Sequence, residues 1–411
     1  MLIFALYKAV PQDIAKVATV GGILKREEAQ LVINPHDVQA VEAAEYFRRL
    51  VGGKVISLSM GPHQRVIPIA NTLFNYEVWG VDEAYILSDR RMAGADTRAT
   101  AYTLSLGIKK IIGFHEEAVS SLIGALEENK SVEDIVKLAN DLYQKNLIPN
   151  KIYSDKPSIK DLSLVNKFAK GEISRRDLVN ELEKYKESLR RDLILFLGMK
   201  AVDGETGNTG PQLSQALSEA LGIPVTHATY VTNFSYDFDK RVIRVVRKMG
   251  RVIQEIEMEL PTLLTMRPEY EAPPITITRR REALLESFRG KVHDIRILNA
   301  DDIGADLRAI GLIGSPTQVG PTIEMRRVVI KKIIGRSLKI LSNIDKIKIG
   351  DKEYGPYKKG DIVTDPPKEL VDVLVPKNLA KIYNYDDLAE EIINILTRES
   401  KIKVQIYGPI P

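Results

Sequence analysis

An α/β fold built on a mainly parallel sheet is what this sequence predicts, on three observations. Strand-like and helix-like patterns alternate over residues 1–112. The alternation resumes at residue 192 after a stretch without a convincing strand run. In each segment one strand leads into a helix through a loop of small residues. Such alternation points to a parallel sheet covered by helices, because a parallel connection must cross the face of the sheet.

Taken in order, the apolar run 2–6 reads as a first strand. A helix over 37–50, a strand over 54–59, a helix after Pro62, a strand over 83–87 and a helix over 97–111 follow. The pattern stops near Gly113. Residues 113–191 read as a helical insertion, since 172–191 is charged and helix-favouring, with Leu178, Leu182 and Leu189 as its apolar positions. At Asp192 the alternation returns with Leu193-Ile194-Leu195-Phe196-Leu197, a run suited to a strand buried on both faces. Next come a glycine-rich loop and a helix in which Leu213, Leu217 and Leu221 recur every four residues before Gly222 ends it. Residues 241–247 and 252–257 flank Met249-Gly250-Arg251 as a hairpin, and a strand over 262–265 follows Pro261. Segments 1–112 and 192–320 thus read as one interrupted domain. In 321–383, short strand-like runs at 346–349, 353–357 and 360–363 are separated by Gly and Pro, as in a small β-rich domain. A helix over 385–397 and a strand over 401–407 are expected in the remaining stretch, 384–411.

Composition bounds the chemistry. The chain has 411 residues, 44% hydrophobic and 28% charged, with a net charge of +4, which is too weak over this length to argue for nucleic acid. Cysteine is absent, which excludes disulfides, thiolate catalysis and iron–sulfur clusters held by this chain; a redox cofactor here would be organic. The run 2–6 is interrupted by Lys8 and lacks a basic leader and a small-residue cleavage site, and no apolar run approaches the roughly 20 residues of a membrane span. A cytoplasmic protein is expected.

Two loops combine a strand end, small residues and a helix start. In the first, Leu87-Ser88-Asp89 leads through Ala93-Gly94-Ala95-Asp96 into Thr97, with Thr100 in the first helical turn. The free N–H groups and positive dipole end of such a start suit a phosphate, although Asp96 or Thr97 also reads simply as an N-cap. The second runs from Gly198 to Pro211 and includes Lys200, Asp203, Gly204, Glu205, Thr206, Gly207, Asn208, Thr209 and Gly210. Its glycines allow close backbone approach to a ligand, Pro211 suits the first helical position, and the loop is too long for a mere turn. Neither loop is a dinucleotide GxGxxG or a P-loop, which disfavours a plain dehydrogenase or NTPase. His36, His63, His115, His227 and His293 lack metal-ligand spacing, and no carboxylate pair stands out as an acid/base couple; no catalytic residue is assigned. Arg279-Arg280-Arg281 reads as a solvated patch or a contact for an acidic partner.

The order of these blocks carries a resemblance. Tyr7-Lys8-Ala9-Val10-Pro11, Ile33-Asn34-Pro35-His36-Asp37, Ser59-Met60-Gly61-Pro62, Gly80-Val81-Asp82-Glu83-Ala84, Ala93-Gly94-Ala95-Asp96-Thr97, the Asp203–Gln212 loop, Leu260-Pro261-Thr262, Arg267-Pro268-Glu269-Tyr270 and Gly314-Ser315-Pro316-Thr317 resemble the electron transfer flavoprotein β subunit, including its FixA-like members. The resemblance implies an adenine-nucleotide α-hydrolase-like, Rossmann-like fold and a heterodimer with an α subunit that carries the electron-transferring FAD. It also implies a site holding AMP in ordinary members or a second FAD in bifurcating ones. In the latter, NADH reduces the β flavin, whose electrons go to a ferredoxin-like acceptor and, through the α flavin, towards a quinone or acyl-CoA side, with possible quinone oxidoreductase partners at a membrane. Phosphate oxygens are expected near Thr97 and across Gly204–Gly210, with Thr100 and Thr206 as donors. Ala5, Tyr7, Lys8 and the Asn34 turn would wall the adenine or flavin end, and Asp37, Ser59, Gly61 and Asp89 are counted among the cofactor-binding residues. The Ala93–Thr97 block and Gly207 are closer to bifurcating members, which favours FAD over AMP.

The sequence departs from the family at several places. Met249-Gly250-Arg251-Val252 replaces an acidic-glycine hairpin, Asn208 stands where a longer amide is usual, Gln12 separates Pro11 from Asp13, and Pro273-Pro274-Ile275-Thr276 offers no clear partner anchor. Around Glu353-Tyr354-Gly355-Pro356-Tyr357, the C-terminal segment resembles the small β domain of archaeal GINS replication subunits, which implies protein contacts. A non-redox nucleotide-binding regulatory or scaffold protein with that module is the alternative reading.

Overall fold

The computed structural model describes residues 1–12, 19–20, 23–24, 30–75, 80–149, 151–153, 163–274, 295–317 and 337–383. Asp13, His293, the Arg279–Arg281 run and the elements expected at 385–397 and 401–407 lie outside the described residues. The chain forms two compact units, Met1–Ile323 and Glu324–Pro411.

In the first unit the strands are β1 (Leu2–Leu6), β2 (Ala9–Pro11), β3 (Thr19–Val20), β4 (Ile23–Leu24), β5 (Leu31–Ile33), β6 (Lys54–Met60), β7 (Glu83–Leu87), β8 (Leu193–Gly198), β9 (Thr226–Asp237), β10 (Val242–Met249), β11 (Val252–Glu259), β12 (Thr262–Met266) and β13 (Ile295–Leu298). Its helices are α1 (Pro35–Val51), α2 (His63–Leu73), α3 (Thr97–Glu127), α4 (Val132–Gln144), α5 (Leu164–Ala169), α6 (Arg175–Arg191) and α7 (Thr209–Leu221).

Among the described residues one nine-stranded sheet runs in the order β11-β10-β9-β12-β8-β1-β6-β7-β13. Seven of its strands, from β9 to β13, are parallel, and only β10 runs against the rest. The fully apolar strands sit at the centre. β1 pairs with β6 on one side and with β8, from the far side of the insertion, on the other.

Because side chains alternate across a strand, each face of this sheet builds its own core. Ile3 and Ala5 pack with α1 and α2 on one face, and Leu2, Phe4 and Leu6 pack with α3 and α7 on the other. The sheet is therefore doubly wound.

The helix expected to end at residue 111 continues to Glu127 as one 31-residue element. Gly113 alone costs only about 1 kcal/mol. That is outweighed by a second apolar stripe, Val119, Leu122, Ile123 and Leu126, which packs with α4, α5 and α6 into a separate core. Helix α7 begins at Thr209, with Asn208 at the position before it, so Pro211 lies third in the helix and not first. Strand β9 was not legible: Tyr230 has φ +59° and the register slips between Val246 and Arg247 and between Leu264 and Met266, which breaks the period of two.

The second unit has β14 (Ser337–Ile340), β15 (Ile347–Ile349), β16 (Lys352–Tyr354), β17 (Ile362–Thr364), β18 (Ala380–Tyr383) and α8 (Lys368–Leu374). A three-stranded sheet, β17-β14-β18, and a β15-β16 hairpin enclose a small core of Leu338, Ile340, Ile344, Leu370, Leu374 and Ala380.

Candidate functional site

The parallel strands end together on one edge, and the chain reverses direction between β1 and β8. After β1 it passes to α1 on one face; after β8 it passes to α7 on the other. Crevices at such switch points, beyond the carboxyl ends of the strands, are where doubly wound sheets bind ligands.

Residues from both sides of this switch are hydrogen-bonded to one another. The Lys8 ammonium lies 2.6 Å from Asp203 Oδ1 and 2.8 Å from Oδ2. Asn34, immediately before α1, donates through Nδ2 to the Lys200 carbonyl (2.9 Å) and accepts through Oδ1 from the Val202 N–H (3.2 Å). Asp37, in the first turn of α1, accepts from the N–H of Lys8 (2.8 Å) and of Gly198 (3.1 Å) and so bridges the ends of the two strands. Its carboxyl is fully buried, and burial pushes it up to about 7 against the opposing pull of those N–H donors and Asn34. Gly198 is dictated by this packing, since a Cβ there would fall 2.2 Å from Asp37 Oδ1.

The loop beyond β8 continues the wall. Lys200 pairs with Glu205 at 3.1 Å, and Glu205 adopts φ +53°. Gly204 faces open space, Gly207 has φ +66°, and Thr206 and Asn208 are exposed. No side chain caps the start of α7, so its first N–H groups are left by Asn208 without the bond an N-cap normally supplies. Thr209 is half-buried there. Gly210 wedges under the helix: a Cβ would lie 2.4 Å from Thr265 Cγ2 and 3.2 Å from His227 Nε2. That nitrogen is buried without a partner, and burial, with Arg247 nearby, lowers the imidazole to about 4.

Ala5 is wholly buried in β1, between Ser57 and Phe196. Tyr7 follows one residue beyond the last paired position, Leu6 with Leu58, which sets it beside Ser59 on the α1–α2 face. Both hydroxyls are buried without a hydrogen-bond partner. Gly61 closes β6 by donating to the Leu87 carbonyl at 3.0 Å.

The other loop is arranged differently. The Asp89 carboxylate is held well below the ordinary range by Arg91, which reaches it at 2.6 Å and bonds Asp301 at 2.7 Å. Asp96 caps α3 by accepting from Ala99 N–H (2.9 Å), and its second oxygen accepts from the Thr317 hydroxyl (2.6 Å) and N–H (3.1 Å). Burial opposes ionisation of Asp96, but these donors prevail and lower it. Gly94 packs on Leu312, while Ala95, Thr97 and Thr100 are half-buried. The start of α3 therefore already holds a carboxylate. Contacts to Asp301, Ser315 and Thr317 join chain positions more than 200 residues apart, and no local signal announces them.

A doubly wound sheet with a polar cradle and an uncapped helix start at its switch point defines an α/β protein of the Rossmann-like class. The Electron transfer flavoprotein domain family matches residues 21–124, and Gins51, C-terminal domain, matches 336–382. Electron transfer flavoprotein subunit beta of Thermoanaerobacterium thermosaccharolyticum is 29% identical over 323 residues, 78% of this chain and 87% of that protein. The Caffeyl-CoA reductase-Etf complex subunit CarD of Acetobacterium woodii is 29% identical over 321 residues (78% and 86%), and Protein FixA of Azorhizobium caulinodans 27% over 322 (78% and 83%). Together these likenesses support an electron transfer flavoprotein β subunit of the FixA kind. Among its described residues no helix is long and apolar enough to cross a membrane.

Proposed function

We propose that the chain holds FAD at the β1/β8 switch point, pairs with an α subunit, and relays electrons between NADH or a dehydrogenase and a quinone or ferredoxin-like acceptor. The observation that carries the ligand reading is the uncapped start of α7. Its first N–H groups, which directly follow the glycine-bearing loop, have no side-chain cap and suit the phosphates of a nucleotide. The start of α3 is filled by Asp96, so the phosphate end belongs at α7. Gly207, Thr209 and Gly210 would line the phosphates, and Lys8, with Asp203 beside it, would flank them. Asn34 and Asp37 hold the two strand ends at the separation the ligand spans.

When bound, a flavin supplies one- and two-electron redox chemistry. The residues here position it and set the local charge. AMP at the same place, without redox work in this subunit, is the second reading; the same helix start favours it equally, because it needs only one phosphate. The GINS-like unit is proposed as a protein-contact module.

The test is to co-express the chain with an α subunit, denature the purified complex and identify what is released. FAD in excess of the α subunit's complement is expected. AMP at one per complex would replace the FAD assignment, and neither ligand would refute the site.

A further inference from the structure

Where the ends of β1 and β8 meet, acidic groups outnumber basic ones. The side chains of Asp37 and Asp203 are both 3% exposed. Lys8 serves the two of them: its ammonium sits on Asp203 at 2.6 Å, and its backbone N–H donates to Asp37 at 2.8 Å. The other strand-end donor to Asp37 is the Gly198 N–H at 3.1 Å, so both of these donors are uncharged. From the loop after β8, Lys200 is paired with Glu205. From α1 itself, His36 is half-buried, and burial together with Lys200 lowers its imidazole, which keeps it neutral. Lys8 and Lys200 thus stand against Asp37, Asp203 and Glu205, and a phosphate entering this cluster meets an excess of negative charge.

We propose that the switch point takes up a proton together with its nucleotide and holds that proton on Asp37, an inference that rests on the reading that phosphates bind at the start of α7. Phosphate oxygens beside Lys8 compete for its ammonium and add like charge next to the carboxylates, and neutralising one carboxyl relieves both. Asp203 has the ammonium in direct contact, whereas Asp37 is buried with uncharged donors and is the easier of the two to protonate. The two N–H groups bond different oxygens of Asp37, so a proton on one oxygen leaves the other bond in place. Burial already brings this carboxyl to about 7 in the free chain. Below that value it is protonated with or without ligand, and affinity is highest. As pH rises through it, the free chain releases the proton that the complex keeps, and affinity falls.

FAD is the probe, because its pyrophosphate does not titrate near neutrality. Fluorescence titration of the full-length, nucleotide-free chain should show FAD affinity weakening about five- to tenfold from about pH 6 to about pH 8. Calorimetry at about pH 7.5 in buffers of different ionisation heat should register uptake of about half a proton or more. Asp37→Asn should bind FAD with neither the pH trend nor the uptake. Wild-type chain that binds FAD equally well across this range, without proton uptake, overturns the coupling and leaves the site standing; that measurement needs no variant. Uptake that survives Asp37→Asn, as it would if His36 held the proton, overturns the assignment to Asp37. A chain that binds no FAD at any pH overturns the FAD reading and this inference with it.

Discussion

Replacing Glu83 by Gln should be among the more damaging single-atom changes in the first unit. The Glu83 carboxylate is buried at the start of β7, where its oxygens meet Tyr85 OH (3.0 Å), Lys54 Nζ (3.4 Å), His115 Nε2 (3.5 Å) and Arg296 Nη1 (3.8 Å). Those partners also reach past it. Arg296 donates to the Lys145 carbonyl (2.7 Å), Lys54 to that of Asn146, and His115 Nδ1 to that of Leu147 (2.9 Å). Three consecutive carbonyls beyond α4 are thus gripped by groups converging on one carboxylate.

Removing its charge leaves Lys54 and Arg296 facing each other with no anion between them, a loss of 3–5 kcal/mol for a buried pair broken on one side. Both cations keep a carbonyl, and Arg296 also keeps the Tyr85 hydroxyl at 2.6 Å, which places the expected cost at about 3 kcal/mol. Urea unfolding followed by circular dichroism measures it. Hydrogen exchange at 145–148 should accelerate in the same variant. Adding Lys54→Met should return at least about 1 kcal/mol, as coupled residues do. A loss below about 1 kcal/mol, or strict additivity of the two substitutions, would refute the reasoning.

Two further outcomes follow from carboxylates at the candidate site. The Asp37 carboxyl titrates at about 7 when folded and near 3.9 when unfolded, so between these values the folded protein keeps a proton that the unfolded chain has released. Its contribution is complete below about pH 4 and is lost as pH rises to 7, by about 4 kcal/mol, so the stability advantage of wild type over Asp37→Asn should shrink from pH 4 to pH 8; an advantage that grew would be contrary. Asp96→Ala should cost about 1 kcal/mol through the lost cap and accelerate exchange of the Thr317 amide, while leaving nucleotide affinity intact if the phosphates lie at α7.

The central strand β1 was legible because nothing competes with an unbroken apolar run, and 2–6 matches it residue for residue; 83–87, apolar after Glu83, matches β7 as closely. The small residues at the switch point were legible as a long glycine loop, but the roles within it were not. Gly210 and Gly198 face Thr265 and Asp37, distant in sequence, and their necessity is steric. Asp96 presented both readings, cap and phosphate site, and only its geometry shows the carboxylate turned onto its own helix. Tyr230, in a left-handed conformation within β9, hid the longest strand in the sheet. Leucine spacing announced the helix over 172–191, yet the end of the preceding helix was expected at 111 and lies at Glu127, since a lone glycine inside a favourable helix is a weak boundary signal.

The position of β1 between β6 and β8 has a consequence for the order in which the molecule can be made. As the chain leaves the ribosome, β1 finds β6 within some 50 residues, but its opposite edge has no mate until residue 198 has emerged. By then the whole of α4, α5 and α6 is available to close its own core against the distal half of α3. The helical insertion is thus in place to act as an early-folding companion, keeping the half-built sheet tethered to a stable body while its middle still waits for a strand.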